Sequence, residues 1–293
     1  MISVQDAFKK FSSRLELTQR EQDDASRRQQ EIRNHLRTKF DIKSDFLTGS
    51  YARWTKTKPL KDVDIFCVLG GDDLHYRKKE PDVVLEDFRS CLADRYGDGK
   101  VKTQRRSVCV EFDVAGQEDR VLSFDVVPAF EKNDHFEIPD TTVSAGWTES
   151  NPRVHAEQAT EANKAFSGEW KRMVRMVKKW NEFHGKPVKP SFLIEVMAVE
   201  LLDPPFGGDY RREVKTLLAS IADRLNETWP DPAGLGPPVS NAMDSAARDL
   251  AREALLAAQH SAAKAIRCER EGRNGDALRV WRDEVFGTLF PLS

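Results

Sequence analysis

The sequence predicts an α+β chain in two lobes: a mixed β-sheet lobe with a long N-terminal spine helix over residues 1–150, and a helical lobe over residues 151–293. Three observations predict it. Val4, Phe8, Phe11 and Leu15 recur at helical spacing near the start, strand-like runs concentrate between residues 44 and 127, and from His155 onward the pattern is largely helical. A chain of 293 residues suffices for one large domain or two tightly joined lobes.

Ser3 opens the first helix as S-V-Q-D, a capping-box pattern with Asp in place of Glu. Ile32 and Leu36 resume the apolar stripe after a polar stretch, which reads as one long or kinked helix to about Phe40, roughly 55 Å at 1.5 Å per residue. Strands are expected at 44–48, 63–69, 107–114 and 120–127; Val108, Val110 and Phe112 alternate with Cys109, Glu111 and Asp113 as in a half-buried antiparallel strand. Residues 81–96 form an amphipathic helix with Pro at its start. Residues 135–143 read as an edge or hairpin element, because Pro139 lacks a ladder donor. Trp170, Met173, Val174 and Val177 mark a core face, Pro190 starts a helix through Leu202, and Gly207-Gly208 begins another that reaches Trp229. After the Pro/Gly-rich connector 230–238, two helices close the chain, the first Ala-rich over 241–268.

Composition narrows the function. Net charge is −2 with 32% charged residues, and no basic excess marks a polynucleotide partner; duplex DNA is therefore not expected as activator. Cys67, Cys91, Cys109 and Cys268 show no C-x-x-C spacing and read as small core residues in a reducing cytoplasm. The six histidines make no zinc pattern with them. There is no signal peptide and no uninterrupted apolar span near ~20 residues, so a cytoplasmic protein without a membrane anchor is expected.

The chemistry concentrates in FLTGSYARWTKTKPLKDVDIF, residues 46–66. Gly49 lets the backbone approach an anion, and Ser50 adds a hydroxyl and an N–H where a helix can start, a combination suited to phosphate. Asp62 and Asp64, two apart on a strand, would face one way and converge on a divalent cation. The linker between the two pieces is basic, through Arg53, Lys56, Lys58 and Lys61. A third acid, Asp125, lies inside the apolar run VLSFDVVPAF (121–130), where a buried carboxylate needs a cation for company. Alone, a Gly-Ser is usually a turn and an Asp-x-Asp a solvated strand end; at this separation they fit together. Three carboxylates from two strands suit a two-metal site, in which ions about 3.5–4 Å apart activate a hydroxyl and stabilise departing pyrophosphate. The implied cofactor is Mg²⁺, with Mn²⁺ as its substitute, and the implied chemistry is nucleotidyl transfer, with Asp125 nearest the attacking hydroxyl. Asp72, Asp73, Asp113 and Asp119 read as solvated acids. In WTESNP (147–152), Ser150 and Asn151 can read a base edge, or Asn151-Pro152 can simply stabilise a turn. Tyr51, Arg53 and Thr55 are secondary candidates, Arg53 because a guanidinium pairs well with phosphate.

The GS, D-x-D and later strand Asp resemble the polymerase-β-type nucleotidyltransferase fold. GSYARWT…DVD, Asp125, WTESNPRVH (147–155), VKKWNEFHGKPVKPSFLIEVM (177–197) and WRDEVFGTLFP (281–291) together resemble the cyclic GMP-AMP synthase/DncV-like nucleotidyltransferases (CD-NTases) of bacterial CBASS anti-phage systems. The resemblance spans almost the whole chain. It implies an active site in the cleft between the lobes and NTP substrates, ATP foremost. The implied product is a cyclic di- or trinucleotide containing adenine. It also implies a Lys and a Ser that grip the triphosphate from the helical lobe, matching Lys178 and Ser191, with Phe192 stacking on the donor base or serving as core. Lys179 is the alternative to Lys178; one residue turns a helix by about 100°, so only one of the two faces a given side. Family members work with HORMA-domain or ubiquitin-like-conjugation partners, and either is the regulatory partner implied here. Rival readings are transfer to a linear acceptor (tRNA, RNA or protein) and a non-catalytic nucleotide sensor.

Overall fold

The computed structural model describes residues 2–58, 60, 62–112, 121 and 123–293. The chain forms two compact units, residues 17–156 and residues 1–16 with 157–293, so the first helix groups with the helical part rather than with a division at 150. The expected single N-terminal helix is two helices, α1 (Val4–Leu15) and α2 (Gln19–Leu36). The break has a local cause: Thr18 caps α2 in a reciprocal capping box with Glu21, whose carboxylate accepts the Thr18 N–H at 2.7 Å. Ser3 caps α1 as expected, its hydroxyl accepting the Asp6 N–H at 3.1 Å.

Within residues 17–156, seven strands are described: β1 (Ile42–Thr48), β2 (Val63–Leu69), β3 (Val101–Thr103), β4 (Val108–Glu111), β5 (Ser123–Lys132), β6 (His135–Pro139) and β7 (Trp147–Ser150). The order is β1-β2-β5-β4-β3, with β6 continuing from β5 to β7. The β2–β5 pair is parallel and the others antiparallel, so the sheet is mixed. The expected strand over 107–114 ends at Glu111, and its last two positions together with residues 120 and 122 lie outside the described residues, as do Lys61, Asp113 and Asp119.

Period-two alternation gives each sheet face its own character. Val63, Ile65, Cys67 and Leu69 of β2 join Phe124, Val126 and Phe130 of β5 in a core covered by Ile32 and Leu36 of α2 and by α4 (Pro81–Tyr96). Phe66, Val68, Val127, Ala129, Phe136 and Ile138 form a second cluster on the opposite face, and Phe46 packs on it. Asp64 and Asp125 belong to this second face by alternation, at the end of the strands where the apolar cluster stops.

The other unit is helical: α1, then α5 (Pro152–Ala165), which carries the chain over from the sheet unit, α6 (Trp170–Phe183), α7 (Phe192–Leu201), α8 (Tyr210–Arg224), α9 (Ser245–Arg270) and α10 (Asn274–Val280). Phe8 and Phe11 of α1 pack on Trp281, Phe286 and Phe290 near the C-terminus. Buried Ala251, Ala258, Ala262 and Ala265 give α9 its close-packing face. The expected α8 start at Gly207-Gly208 shifts to the cap at Asp209, whose carboxylate accepts the Arg211 N–H at 3.1 Å, and the helix ends at Arg224 rather than Trp229. Among the described residues no helix is long and apolar enough to cross a membrane.

Candidate active site

Parallel pairing of β2 with β5 sets Asp64 directly beside Asp125. Thr48 of β1 pairs with Asp64 and Cys109 of β4 with Asp125, so Thr48, Asp64, Asp125 and Cys109 form one register row across four strands. Registered neighbours share a face. The row therefore brings two of the three expected carboxylates together without help from any loop.

Gly49 opens α3 (Gly49–Ala52), a single turn directly after β1. Its φ of +65° belongs to the left-handed region, and a Cβ there would lie 1.7 Å from Asp64 Oδ2. The anion that Gly49 admits is thus the carboxylate of Asp64. One turn aligns too few peptides for a sizeable dipole, so the N–H groups and the Ser50 hydroxyl are what α3 offers an anion. Ser50 O accepts the Thr55 N–H at 3.0 Å, which folds the linker back over the turn. Thr55 is wholly buried and Arg53 nearly so.

Asp62 departs from the expected geometry. It precedes β2, has φ +52°, and is exposed, so the same-face rule for strand residues does not govern it. The register explains where it goes: with Asp64 beside Asp125, position 62 falls opposite Ser123. Ser123 Oγ donates to Asp62 Oδ1 at 2.8 Å and accepts the Asp62 N–H at 3.1 Å.

The row concentrates negative charge away from water. Burial and then the neighbouring Asp125 push the Asp64 carboxyl up to about 6, against the opposing pull of Lys56 and Arg53. Burial and then Asp62 also raise Asp125, while the neighbouring Cys109 thiol and the charge of Lys56 oppose the rise. Burial, followed by the charge of Asp125, pushes the Cys109 thiol up to about 12. Asp125 Oδ1 is buried with no hydrogen-bond partner.

Among the described residues no three His, Cys, Asp or Glu side chains already stand as a metal-ligand cluster, and Asp62 accepts from the Ser123 hydroxyl. The donor set nonetheless fits a hard divalent cation. Asp64 and Asp125 are oxygen donors side by side, and a buried carboxylate oxygen without a partner is a group that a cation satisfies.

Asn151 is nearly buried and committed at both ends: its amide donates to Asp134 O at 3.0 Å and its oxygen accepts the Arg153 N–H at 3.2 Å. The turn reading accounts for it without a nucleotide. In the helical unit, Ser191 is exposed at the start of α7 and its hydroxyl makes no capping bond. Phe192 is half-buried. Lys178 is 5% exposed and donates to Glu195 Oε1 at 2.7 Å, whereas Lys179 donates to Glu182 at 3.0 Å from a more open position. Residues 191 and 195 are one turn apart, so Glu195 carries Lys178 toward the Ser191 side of α7. A sequence reading misses Ser123, Cys109 and Glu195. The S-x-D of 123–125, parallel to the D-x-D of 62–64, is the signal that could have found Ser123.

Comparison with known proteins agrees with this architecture. Residues 2–163 match the Second Messenger Oligonucleotide or Dinucleotide Synthetase domain. The chain is 26% identical over 275 residues to a probable cyclic nucleotide synthase of Bacillus cereus strain VD146, covering 83% of this chain and 81% of that protein. It is 26% identical over 268 residues to a cyclic AMP-AMP-AMP synthase of Acinetobacter sp., covering 85% and 73% respectively. The fold is similar to that of Escherichia coli MS115-1 CdnC, solved with ATP (TM-score 0.74, 18% identity, 99% of both chains). The same protein solved with HORMA-deltaN gives a TM-score of 0.73 at 19% identity over 98% of both chains. With the domain match spanning more than half of the chain and the polymerase-β-like fold in place, the chain belongs to the second messenger oligonucleotide or dinucleotide synthetase family and is a nucleotidyltransferase of the CD-NTase class, whose products are cyclic oligonucleotides.

Proposed function

We propose that this nucleotidyltransferase condenses NTPs, ATP among them, into an adenine-containing cyclic di- or trinucleotide, with Asp62, Asp64 and Asp125 holding Mg²⁺. The observation that carries the reading is the registered pair Asp64–Asp125, with Asp125 Oδ1 buried and lacking a partner. When bound, divalent cations supply charge neutralisation for the attacking hydroxyl and the departing pyrophosphate. Asp64 and Asp125 contribute the inner oxygens, and Asp62 completes the set from its place on Ser123. The Asp125 carboxylate, nearest the attacking 2′- or 3′-hydroxyl in this reading, is the acceptor for its proton. Lys56 and Arg53 temper the like charge of the row and favour the incoming phosphates.

Gly49 and Ser50 serve the donor phosphates by backbone and hydroxyl donors. Ser191, Phe192 and a lysine of α6 are the helical-unit contacts to the nucleotide. For Lys178 that role requires leaving a buried carboxylate; for Lys179 it requires leaving a more exposed one. The partner class we propose is a HORMA-domain protein, the class seen in the E. coli complex, and added duplex DNA should leave synthesis unchanged within about twofold at physiological salt.

The test is incubation of the full chain with Mg²⁺ or Mn²⁺ and all four NTPs, followed by phosphatase treatment and mass spectrometry. A phosphatase-resistant, adenine-containing ring is the expected product. A phosphatase-sensitive linear product, or no nucleotide binding in calorimetry, would overturn the reading.

A further inference from the structure

We infer that Ser123 is a positioning residue of the nucleotidyl-transfer site: its hydroxyl clamps Asp62 by backbone and side chain together and holds that carboxylate on the sheet face that carries Asp64 and Asp125. The inference rests on the proposed role of Asp62 as a metal ligand.

Three observations carry it. Ser123 Oγ donates to Asp62 Oδ1 at 2.8 Å and accepts the Asp62 N–H at 3.1 Å, so one hydroxyl grips the side chain and the backbone of the same residue. Ser123 pairs with Glu111 in the β4–β5 ladder and Asp125 pairs with Cys109, so Ser123 and Asp125 stand two apart on one strand and leave the sheet on the same face. Ser123 is 7% exposed whereas Asp62 is exposed, so the clamp ties a residue that precedes β2 to a fixed point of the sheet.

Asp62 needs such a point. The β2–β5 pairing begins at Val63 and Phe124, one residue past Asp62, and a φ of +52° takes the Asp62 backbone out of the extended conformation. An aspartate carboxylate keeps a broad range of χ2 values unless something outside it selects one. The Ser123 hydroxyl is that selector, because bonding the Asp62 N–H and Oδ1 at once closes a ring that restricts both side-chain torsions. Oδ2 takes no part in the clamp and is left to serve a cation. Asp64 and Asp62 are thus placed by different means, Asp64 by the space above Gly49 and Asp62 by a hydroxyl. Partners that orient a ligating carboxylate usually contribute to metal affinity, with losses of about 10–100-fold when they are removed. Asp62 is open to water, which can replace part of the bond, so the lower end of that range is the expectation here.

A hydroxyl that ties Asp62 to β5 also braces the start of β2, and the experiment separates bracing from positioning. Mn²⁺ binding to the full chain is measured by the loss of the free-ion signal in electron paramagnetic resonance, alongside thermal melting and Mg²⁺-dependent turnover. Ser123→Ala should weaken Mn²⁺ about tenfold and raise the half-saturating Mg²⁺ with little change in the NTP KM. Ser123→Thr, which keeps the hydroxyl, should recover most of the affinity. In an Asp62→Ala background, where Asp64 and Asp125 remain, Ser123→Ala should cost no further Mn²⁺ affinity, because positioning acts only through the Asp62 carboxylate. Bracing would still be lost in that background, since position 62 keeps its N–H. If Ser123→Ala leaves Mn²⁺ affinity unchanged or tightens it while Asp62→Ala lowers it, the positioning role is overturned and the reading of Asp62 stands. If Ser123→Ala weakens Mn²⁺ equally with and without Asp62→Ala, or Ser123→Thr binds no better than Ser123→Ala, the hydroxyl does not act by orienting Asp62 and the inference again fails. If Asp62→Ala itself binds Mn²⁺ like the native chain, the underlying assignment of Asp62 is the one that fails.

Discussion

Two pairs of charged side chains, one in each unit, have been taken out of water with opposite results. Asp64 and Asp125 lie in register with the same sign, and their carboxyls are both raised by burial and by a neighbouring acid. Lys178 and Glu195 lie on α6 and α7 with opposite signs, joined at 2.7 Å and both buried. The first pair is incomplete by itself and calls for added positive charge. The second satisfies itself. Both cost desolvation, so the difference is where the compensating charge comes from: within the chain for Lys178 and Glu195, from outside it for the acid row.

The comparison can be broken most easily at the acid row. Asp62→Asn with Asp64→Asn should lower cyclic-product formation by more than about a hundredfold, since even partners that only orient metal ligands are worth 10–100-fold. Survival of product formation in a discontinuous NTP assay would remove the metal assignment. Gly49→Ala puts a Cβ where Asp64 Oδ2 now lies, 1.7 Å away, and forces Ala to φ +65°. Turnover should fall at least about tenfold, because the displaced carboxylate is a proposed ligand, with about 1–2 kcal/mol of stability lost to the left-handed backbone. Native-like turnover in that variant would show that Asp64 need not sit against the turn.

At the self-satisfied pair the effect should appear in stability. Lys178→Ala removes the cation bonded to the buried Glu195 carboxylate and should cost about 3–5 kcal/mol in denaturant unfolding. The double change Lys178→Met with Glu195→Leu should recover most of that loss, because replacing both charges removes the desolvation cost as well. Lys179→Ala, which breaks a more exposed pair, should cost under about 1 kcal/mol. A large loss of NTP affinity in Lys179→Ala with unchanged stability would make Lys179 the phosphate contact on α6. The same signature in Lys178→Ala would show that the Glu195 pair opens for substrate.

These particulars also show what the sequence carries and what it does not. The helix over 81–96 and the strand over 63–69 are legible from local pattern, and the structure places both at those bounds. Local chemistry also held the break at Thr18, in a T-x-x-E box that an uninterrupted helical reading passes over. Register is a different matter. That Asp64 meets Asp125 while Asp62 meets Ser123 follows from a parallel pairing of strands some sixty positions apart, which no local window encodes. Glu195 is hidden for the same reason: its helix is apolar in sequence, and only the packing of α6 on α7 reveals why an acid lies inside it. Carboxylates that await a ligand were legible because they violate their surroundings, whereas those that meet a protein partner were not.

The most direct test of the contrast is the melting temperature of Asp64→Asn against the native chain, metal-free and with Mg²⁺, between pH 4 and 7.5. Asp64 has its folded carboxyl raised to about 6 from 3.8, so ionising it opposes folding: the penalty is absent below about 4, grows as pH rises, and is complete above about 6. A displacement of that size corresponds to at most roughly 3 kcal/mol. Metal-free Asp64→Asn should therefore melt higher than the native chain at pH 7.5, with the advantage vanishing toward pH 4, and Mg²⁺ should stabilise the native chain while leaving the variant little changed. An Asp64→Asn chain that melts lower than the native one at both pH values, or gains as much from Mg²⁺, would contradict a row of acids held in readiness for a cation.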